Sequence, residues 1–176
     1  EALGLKNATL RQIIEHLSMI YTGNIGFEYN YIMDKEKRRW LRSKIESFRP
    51  ANQYELTLDE KKRILEKLNG AIVFERFLHT KFIGQKRFSL EGGETTIAAL
   101  DALITSAADN EVEEVVIGMA HRGRLNVLAN ILHKTYEQIF TEFEGEMPED
   151  QSYGDGDVKY HLGFSSMVST PHKKQV

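Results

Sequence analysis

The chain contains no cysteine, which excludes disulfide scaffolds, thiolate metal sites and cysteine nucleophiles together. Proline occurs only three times, so proline-rich linkers are excluded as well. Long apolar runs are missing: a stretch such as Val115-Val116-Ile117 is far below the roughly 20 residues that cross a bilayer as a helix. An excess of one charge is missing too, because 23 basic residues face 26 acidic ones for a net charge of -3. A broad electrostatic footprint for nucleic acid or anionic membrane is therefore not expected. What is present is ordinary for a globular protein: 176 residues, 41% hydrophobic and 28% charged. A chain of this size buries roughly 70% of its unfolded surface in one domain, with or without an appendage. The start, Glu1-Ala2-Leu3-Gly4, and the end, His172-Lys173-Lys174-Gln175-Val176, read as cuts in a longer chain.

Periodicity divides the chain at about residue 84. Leu10, Ile13, Ile14, Leu17, Ile20 and Tyr21 recur at helical spacing behind Thr9 as an N-cap, predicting an amphipathic helix that ends before Gly23. Residues 23–32 are glycine- and aromatic-rich and are expected to run extended. Asp34 opens a charged helix to about Phe48, before Pro50. Its basic run from Lys35 to Arg42 includes Trp40, but Glu36 interrupts it and a solvated face is expected. Thr57-Leu58-Asp59-Glu60 has the form of a capping box, and the helix it opens is expected to break at Asn69-Gly70 and resume from Ala71 to about Phe82.

Beyond residue 85 the pattern changes to helix, strand, helix. Glu94 to Ala108 is helical in period. Glu114-Val115-Val116-Ile117-Gly118-Met119 reads as a short buried parallel strand, and Gly123–Leu132 and Tyr136–Glu144 return to helix. A loop covers 145–157, and Val158 to Phe164 is read as a returning strand. The expected architecture is a helical N-terminal region, 1–84, followed by the start of an α/β domain, 85–176.

Chemistry is expected first at Gly118-Met119-Ala120-His121-Arg122-Gly123-Arg124-Leu125-Asn126, where a strand end meets a helix N-terminus and an anion could be held. This is not a P-loop, since Arg124 and Leu125 stand where Lys and Ser/Thr would be needed. Capping of strand-end carbonyls by His121 and Arg122 is the alternative. The second segment runs from Gly154 to Ser166. Asp155 and Asp157 suggest calcium, yet an EF-hand loop from Asp155 would need Gly at 160 and Glu at 166, where Tyr160 and Ser166 stand. An acidic loop delivering His161 and Ser165 remains, or a solvated turn. The third segment, Lys86-Arg87-Phe88-Ser89-Leu90-Glu91-Gly92-Gly93-Glu94, precedes a helix. There Gly-Gly permits close approach of a ligand, and plain helix punctuation by Ser89 or Gly93 is equally open. The six histidines, at 16, 79, 121, 133, 161 and 172, form no i, i+4 pair, so a zinc site is not expected. His16 and His133 are expected on amphipathic helices.

Together, Lys86-Arg87-Phe88-Ser89-Leu90-Glu91-Gly92, Gly118-Met119-Ala120-His121-Arg122-Gly123-Arg124-Leu125-Asn126-Val127-Leu128 and Gly156-Asp157-Val158-Lys159-Tyr160-His161-Leu162-Gly163 resemble, in order and spacing, the thiamine-diphosphate-dependent E1 components of 2-oxoglutarate dehydrogenase. Thr22-Gly23-Asn24-Ile25-Gly26-Phe27-Glu28-Tyr29 and the Arg39-Trp40-Leu41 helix are similar to the N-terminal part of that family. The resemblance implies that residues 85–176 begin a thiamine-diphosphate-binding type of α/β domain with a parallel sheet. It implies oxidative decarboxylation of 2-oxoglutarate in the tricarboxylic acid cycle, with succinyl transfer to lipoyl-lysine on the E2 dihydrolipoyl succinyltransferase. Thiamine diphosphate and Mg2+ are the implied cofactors and a homodimer the implied assembly. Nucleic acid and membrane are not implied as partners, and the implied compartment is the cytoplasm in a bacterium or the mitochondrial matrix in a eukaryote.

By the same resemblance His121 and His161 are the catalytic histidines, Ser165 helps them bind substrate, and Arg122 contacts the cofactor. No metal ligand is expected within these residues, because Gly154-Asp155-Gly156 is not followed by the Asn that completes the family's metal-binding motif. The chain alone is accordingly expected neither to bind the cofactor tightly nor to decarboxylate. Two other readings stand beside this one: a 2-oxoadipate dehydrogenase E1 or 2-oxoglutarate decarboxylase of the same family, and a noncatalytic helical interaction module.

Overall fold

A computed structural model describes residues 3, 5–47, 56–84, 87–144 and 163–176 of the chain, the side chain of Phe143 excepted. These form two compact units, Glu1–Thr57 and Leu58–Val176.

In the first unit, α1 (Leu10–Tyr21) starts at a reciprocal cap in which Thr9 Oγ1 accepts from the Gln12 N–H and the Gln12 side chain accepts from the Thr9 N–H. α2 (Lys35–Glu46) starts where Asp34 accepts from the N–H groups of Glu36 and Lys37, both at 2.9 Å. α1 buries His16 and Ile20, whereas Leu10 and Ile14 of its apolar stripe stay exposed. His16 is structural: its Nε2 lies 2.7 Å from the Glu46 carbonyl at the end of α2. Tyr21 Oη donates to the Glu46 carboxylate at 2.9 Å and lies 3.1 Å from Tyr29 Oη. No α2 side chain is buried, as a solvated face requires.

The second unit is organised by α3 (Leu58–Lys81), which is one unbroken helix of 24 residues. The expected break at Asn69-Gly70 does not occur. Gly70 serves packing, since a β-carbon there would stand 2.9 Å from Asn130 Oδ1. α3 buries Ala71, Phe74, Glu75 and Leu78, a stripe at i, i+3, i+4 and i+7. Ala71 joins Leu90, Ile97, Ile104, Val127 and Ile131 in one apolar cluster; Phe74 and Leu78 join Leu125, Leu128, Ala129 and Ile139 in another. The remaining helices are α4 (Thr95–Asp109), α5 (Arg124–Asn130) and α6 (Tyr136–Glu144). α5 is short and central, with Leu125 through Ala129 all buried. It ends at Asn130, so His133 lies past the helix rather than on it, with φ of 55°.

The expected strand at 114–119 is not a strand, and no sheet forms among the described residues. Residues 112–120 run without helix, and burial alternates along them. Val115, Ile117 and Met119 pack on the Ala71 cluster, while Val116 is 85% exposed. The alternation is that of a strand, but a strand also needs a neighbouring strand to pair its N–H and C=O groups, and none forms among the described residues. Among the described residues pairing is confined to an isolated antiparallel bridge, Ser169 with Gln175, beside Val168 and Val176. The proposed strand at 158–164 falls mainly outside the described residues. Among the described residues no helix is long and apolar enough to cross a membrane.

Candidate functional site

Two of the three sequence motifs meet beside α3. Gly123, with φ of 76°, donates its N–H to the Phe88 carbonyl at 2.9 Å. Phe88 also has positive φ, 44°, a strained choice for a bulky side chain. Its ring lies against the His121 imidazole, centroids 4.0 Å apart. Arg122 Nη1 donates to the Ser89 carbonyl at 2.9 Å, and Arg124 Nη1 donates to the Met119 carbonyl at 3.1 Å. His121 and Arg122 are both exposed on a backbone pinned from two sides. The 89–94 segment is itself a chain of turns: Ser89 Oγ accepts from Glu91 N–H at 3.0 Å, Gly93 N–H donates to the Leu90 carbonyl at 2.7 Å, and Glu94 Oε1 accepts from Gly92 N–H at 3.0 Å. Hydrogen bonds from the Glu94 and Gly92 backbone hold the Glu94 carboxyl below its ordinary pKa.

The start of α5 is partly occupied as an anion cradle. The helix has seven residues, and the flanking N–H groups are already engaged, Gly123 with Phe88 and Arg124 with the His121 carbonyl at 3.1 Å. The exposed cation at this end is the Arg122 side chain, which gives one of its guanidinium nitrogens to the Ser89 carbonyl.

Beneath these loops lies a buried polar junction that the periodicity analysis did not single out. Glu75, only 9% exposed, accepts through Oε1 from the Leu90 N–H at 3.0 Å and from Asn126 Nδ2 at 3.1 Å. Asn126, fully buried, also donates to the Ala71 carbonyl at 3.1 Å and accepts from Asn130 Nδ2 at 2.8 Å. The available signal was a carboxylate inside the apolar stripe of α3. Beside this junction a groove of about 410 Å3 is lined by Glu75, Arg76, His79, Arg87, Ser89 and Glu94 among others. In it Arg87 Nη2 donates to His79 Nδ1 at 2.8 Å, while Arg87 Nε and Glu75 Oε2 are buried with no hydrogen-bond partner among the described residues.

The third motif reaches the described residues only at its end. His161 lies outside them. Ser165 is exposed, and on either side of it the chain is anchored: Phe164 packs on the Phe74 cluster beneath Lys134 Nζ, 5.5 Å away, and Ser166 Oγ donates to the Leu132 carbonyl at 2.6 Å. Lys134 is itself buried and ion-paired with Glu142. Among the described residues no group of three or more His, Asp or Glu side chains is placed to hold a metal ion.

No family model matches the chain. Sequence comparison nevertheless finds close relatives. The chain is 52% identical over 167 residues to a 2-oxoglutarate dehydrogenase E1 component of Cupriavidus necator, covering 95% of the chain and 17% of that protein. It is 52% identical over 160 residues to a multifunctional 2-oxoglutarate metabolism enzyme of Mycolicibacterium vanbaalenii, covering 91% of the chain and 13% of the relative. It is 43% identical over 173 residues to a mitochondrial 2-oxoglutarate dehydrogenase of Saccharomyces cerevisiae, covering 98% and 17%. Nearly the whole chain is thus homologous to enzymes of 2-oxoglutarate metabolism. Within that class the likeness that its motifs carry, to the E1 component of 2-oxoglutarate dehydrogenase, extends across the chain. The chain spans between about an eighth and about a sixth of the length of these relatives.

Proposed function

We propose that this chain is part of an E1 enzyme that decarboxylates 2-oxoglutarate with thiamine diphosphate and Mg2+ and transfers the succinyl group to lipoyl-lysine of an E2 partner within a homodimeric E1. The observation that carries the reading is 52% identity over 95% of the chain to a protein of that name. The meeting of the Phe88 and His121 segments gives it a structural basis. Residues 114–119, already alternating in burial, would join a parallel sheet with strands from the remainder of the enzyme. Its compartment would be the cytoplasm in a bacterium or the mitochondrial matrix in a eukaryote.

Thiamine diphosphate, when bound, would supply the nucleophilic carbon and the electron sink that decarboxylation of a 2-keto acid requires. The residues here prepare for that chemistry. Arg122, which is exposed, would contact the cofactor, whose diphosphate suits a guanidinium donor. His121, backed by the Phe88 ring, would donate a ring N–H to a substrate carboxylate or to the keto oxygen as negative charge develops there. His161 would act with it on the dicarboxylic acid, and Ser165, exposed between two anchored neighbours, would add a hydroxyl donor.

Carbon dioxide release and succinyl transfer measured on the full-length protein test this directly. 2-Oxoglutarate is expected to be turned over with a higher kcat/KM than 2-oxoadipate. His121→Ala and His161→Ala each lose on the order of 3 kcal/mol of transition-state stabilisation, somewhat over a hundredfold, without loss of fold. Full-length protein that decarboxylates neither acid overturns the proposal.

A further inference from the structure

Glu75 is a carboxylate in the apolar stripe of α3, and its single engaged oxygen touches both loops of the candidate site at once. One hydrogen bond comes from Leu90 N–H. Leu90 is next to Ser89, whose carbonyl holds Arg122, and two residues from Phe88, whose ring backs His121. The other comes from Asn126, in the first turn of α5 and four residues from Arg122. Glu75 is thus the one atom-level link among the described residues that ties α3 to both segments by the same side-chain oxygen. An apolar residue would fill the stripe as well, but would leave the buried Leu90 N–H and one Asn126 donor without an acceptor.

We propose that Glu75 is a positioning residue that, through Leu90 and Asn126, fixes where His121 and Arg122 are presented. This rests on the reaction proposed above. Glu75 touches no reacting atom; it acts by setting the register between the 88–90 turn and the start of α5, on which both site residues ride. What matters is an acceptor oxygen at the position of Oε1: both hydrogen bonds go to that oxygen, and among the described residues Oε2 accepts none.

That distinction makes the test. In the full-length protein, Glu75→Gln keeps an acceptor of the same reach, with its amide nitrogen at the side of Oε2. Glu75→Asp keeps the charge but withdraws the oxygens by one methylene, beyond reach of donors now at 3.0 and 3.1 Å. The aspartate variant is expected to lose kcat at least about tenfold with KM changed by less than about threefold, and the glutamine variant to stay within about threefold of the parent in both. Amide hydrogen exchange at Leu90, read in the same proteins without cofactor, is expected to accelerate in the aspartate variant alone. An aspartate variant with parental kcat, or a glutamine variant as impaired as the aspartate one, overturns the proposal. Parent protein without turnover overturns the reaction assignment instead, and the exchange comparison then decides whether Glu75 holds the turn.

Discussion

Leu90 Cδ1 occupies the space beside Gly123, 2.5 Å from where a β-carbon on that glycine would stand. Gly123 is also the residue whose N–H reaches Phe88, with φ of 76°. Two penalties thus meet in Gly123→Ala: the left-handed backbone costs an alanine about 1 kcal/mol, and overpacking against Leu90 adds about 1 to 3. The chain is expected to lose roughly 2–4 kcal/mol in urea denaturation. In a Leu90→Ala background the same substitution should cost only about 1 kcal/mol, because the crowding is gone. An equal cost in both backgrounds would refute the contact.

Gly70 gives a second test, of opposite design. In the interior of a helix Gly→Ala ordinarily stabilises by about 1 kcal/mol. Here the new methyl would meet Asn130 Oδ1 at 2.9 Å, and that amide is tethered through its Nδ2 to Asn126. Gly70→Ala is therefore expected to destabilise by about 1 kcal/mol alone and to become stabilising by about that amount on Asn130→Ala. Thermal unfolding of the four proteins measures the sign change.

These two glycines also mark where sequence reasoning succeeds and where it stops. The starts of α1 and α2 were legible because Thr9 and Asp34 act within three residues of themselves. Asn69-Gly70 misleads, since the reason for that glycine is a side chain 60 positions away. The extended run from Val115 to Met119 was legible, but the buried strand expected there is not found: Val116 is 85% exposed and no strand pairs with the run among the described residues. Motif order suggested that the Phe88 and His121 segments work together; the Gly123–Phe88 hydrogen bond that joins them has no local signature, and of the Glu75 junction only the carboxylate within the apolar stripe of α3 is visible. Ser165 is described and exposed; His161 lies outside the described residues, and its role stays a proposal.

Acid titration should separate two groups near one another. Burial pushes the Asp101 carboxyl up, but hydrogen bonds from Arg63 and Lys67 outweigh it and its pKa lies below the ordinary value. Its contribution is therefore complete above the unfolded pKa of about 4 and is lost as pH falls through the lower folded value. His133 is also depressed, by burial and then by Lys67, with Asp101 opposing. Its contribution is present above about pH 6.5 and is lost as pH falls through its folded value. His133→Gln should flatten the stability profile below about pH 6.5, and Asp101→Asn should flatten it below about pH 4. Near neutrality Asp101→Asn should also cost on the order of 2 kcal/mol, from lost charge-assisted hydrogen bonds. Denaturation midpoints between pH 3 and 8 give both profiles; an unchanged slope in either variant contradicts the corresponding assignment.

The cofactor itself provides the last prediction. Of the residues proposed to meet thiamine diphosphate, Arg122 is exposed and already gives one nitrogen to the Ser89 carbonyl. An exposed cation of this kind contributes only about 1 kcal/mol toward an anion in water. Neither Gly-Asp pair, at 154 and 156, is followed within residues 1–176 by an asparagine, and among the described residues no group of three or more His, Asp or Glu side chains is placed to hold a magnesium ion. One weak contact falls well short of the roughly 4 kcal/mol that even a millimolar dissociation constant requires. Calorimetric titration of residues 1–176 with thiamine diphosphate and Mg2+ is therefore expected to give no saturable heat below about 1 mM, whereas the full-length protein should bind under the same conditions. Tight magnesium-dependent binding by the 176 residues alone would mean that the diphosphate is held by groups other than those named here.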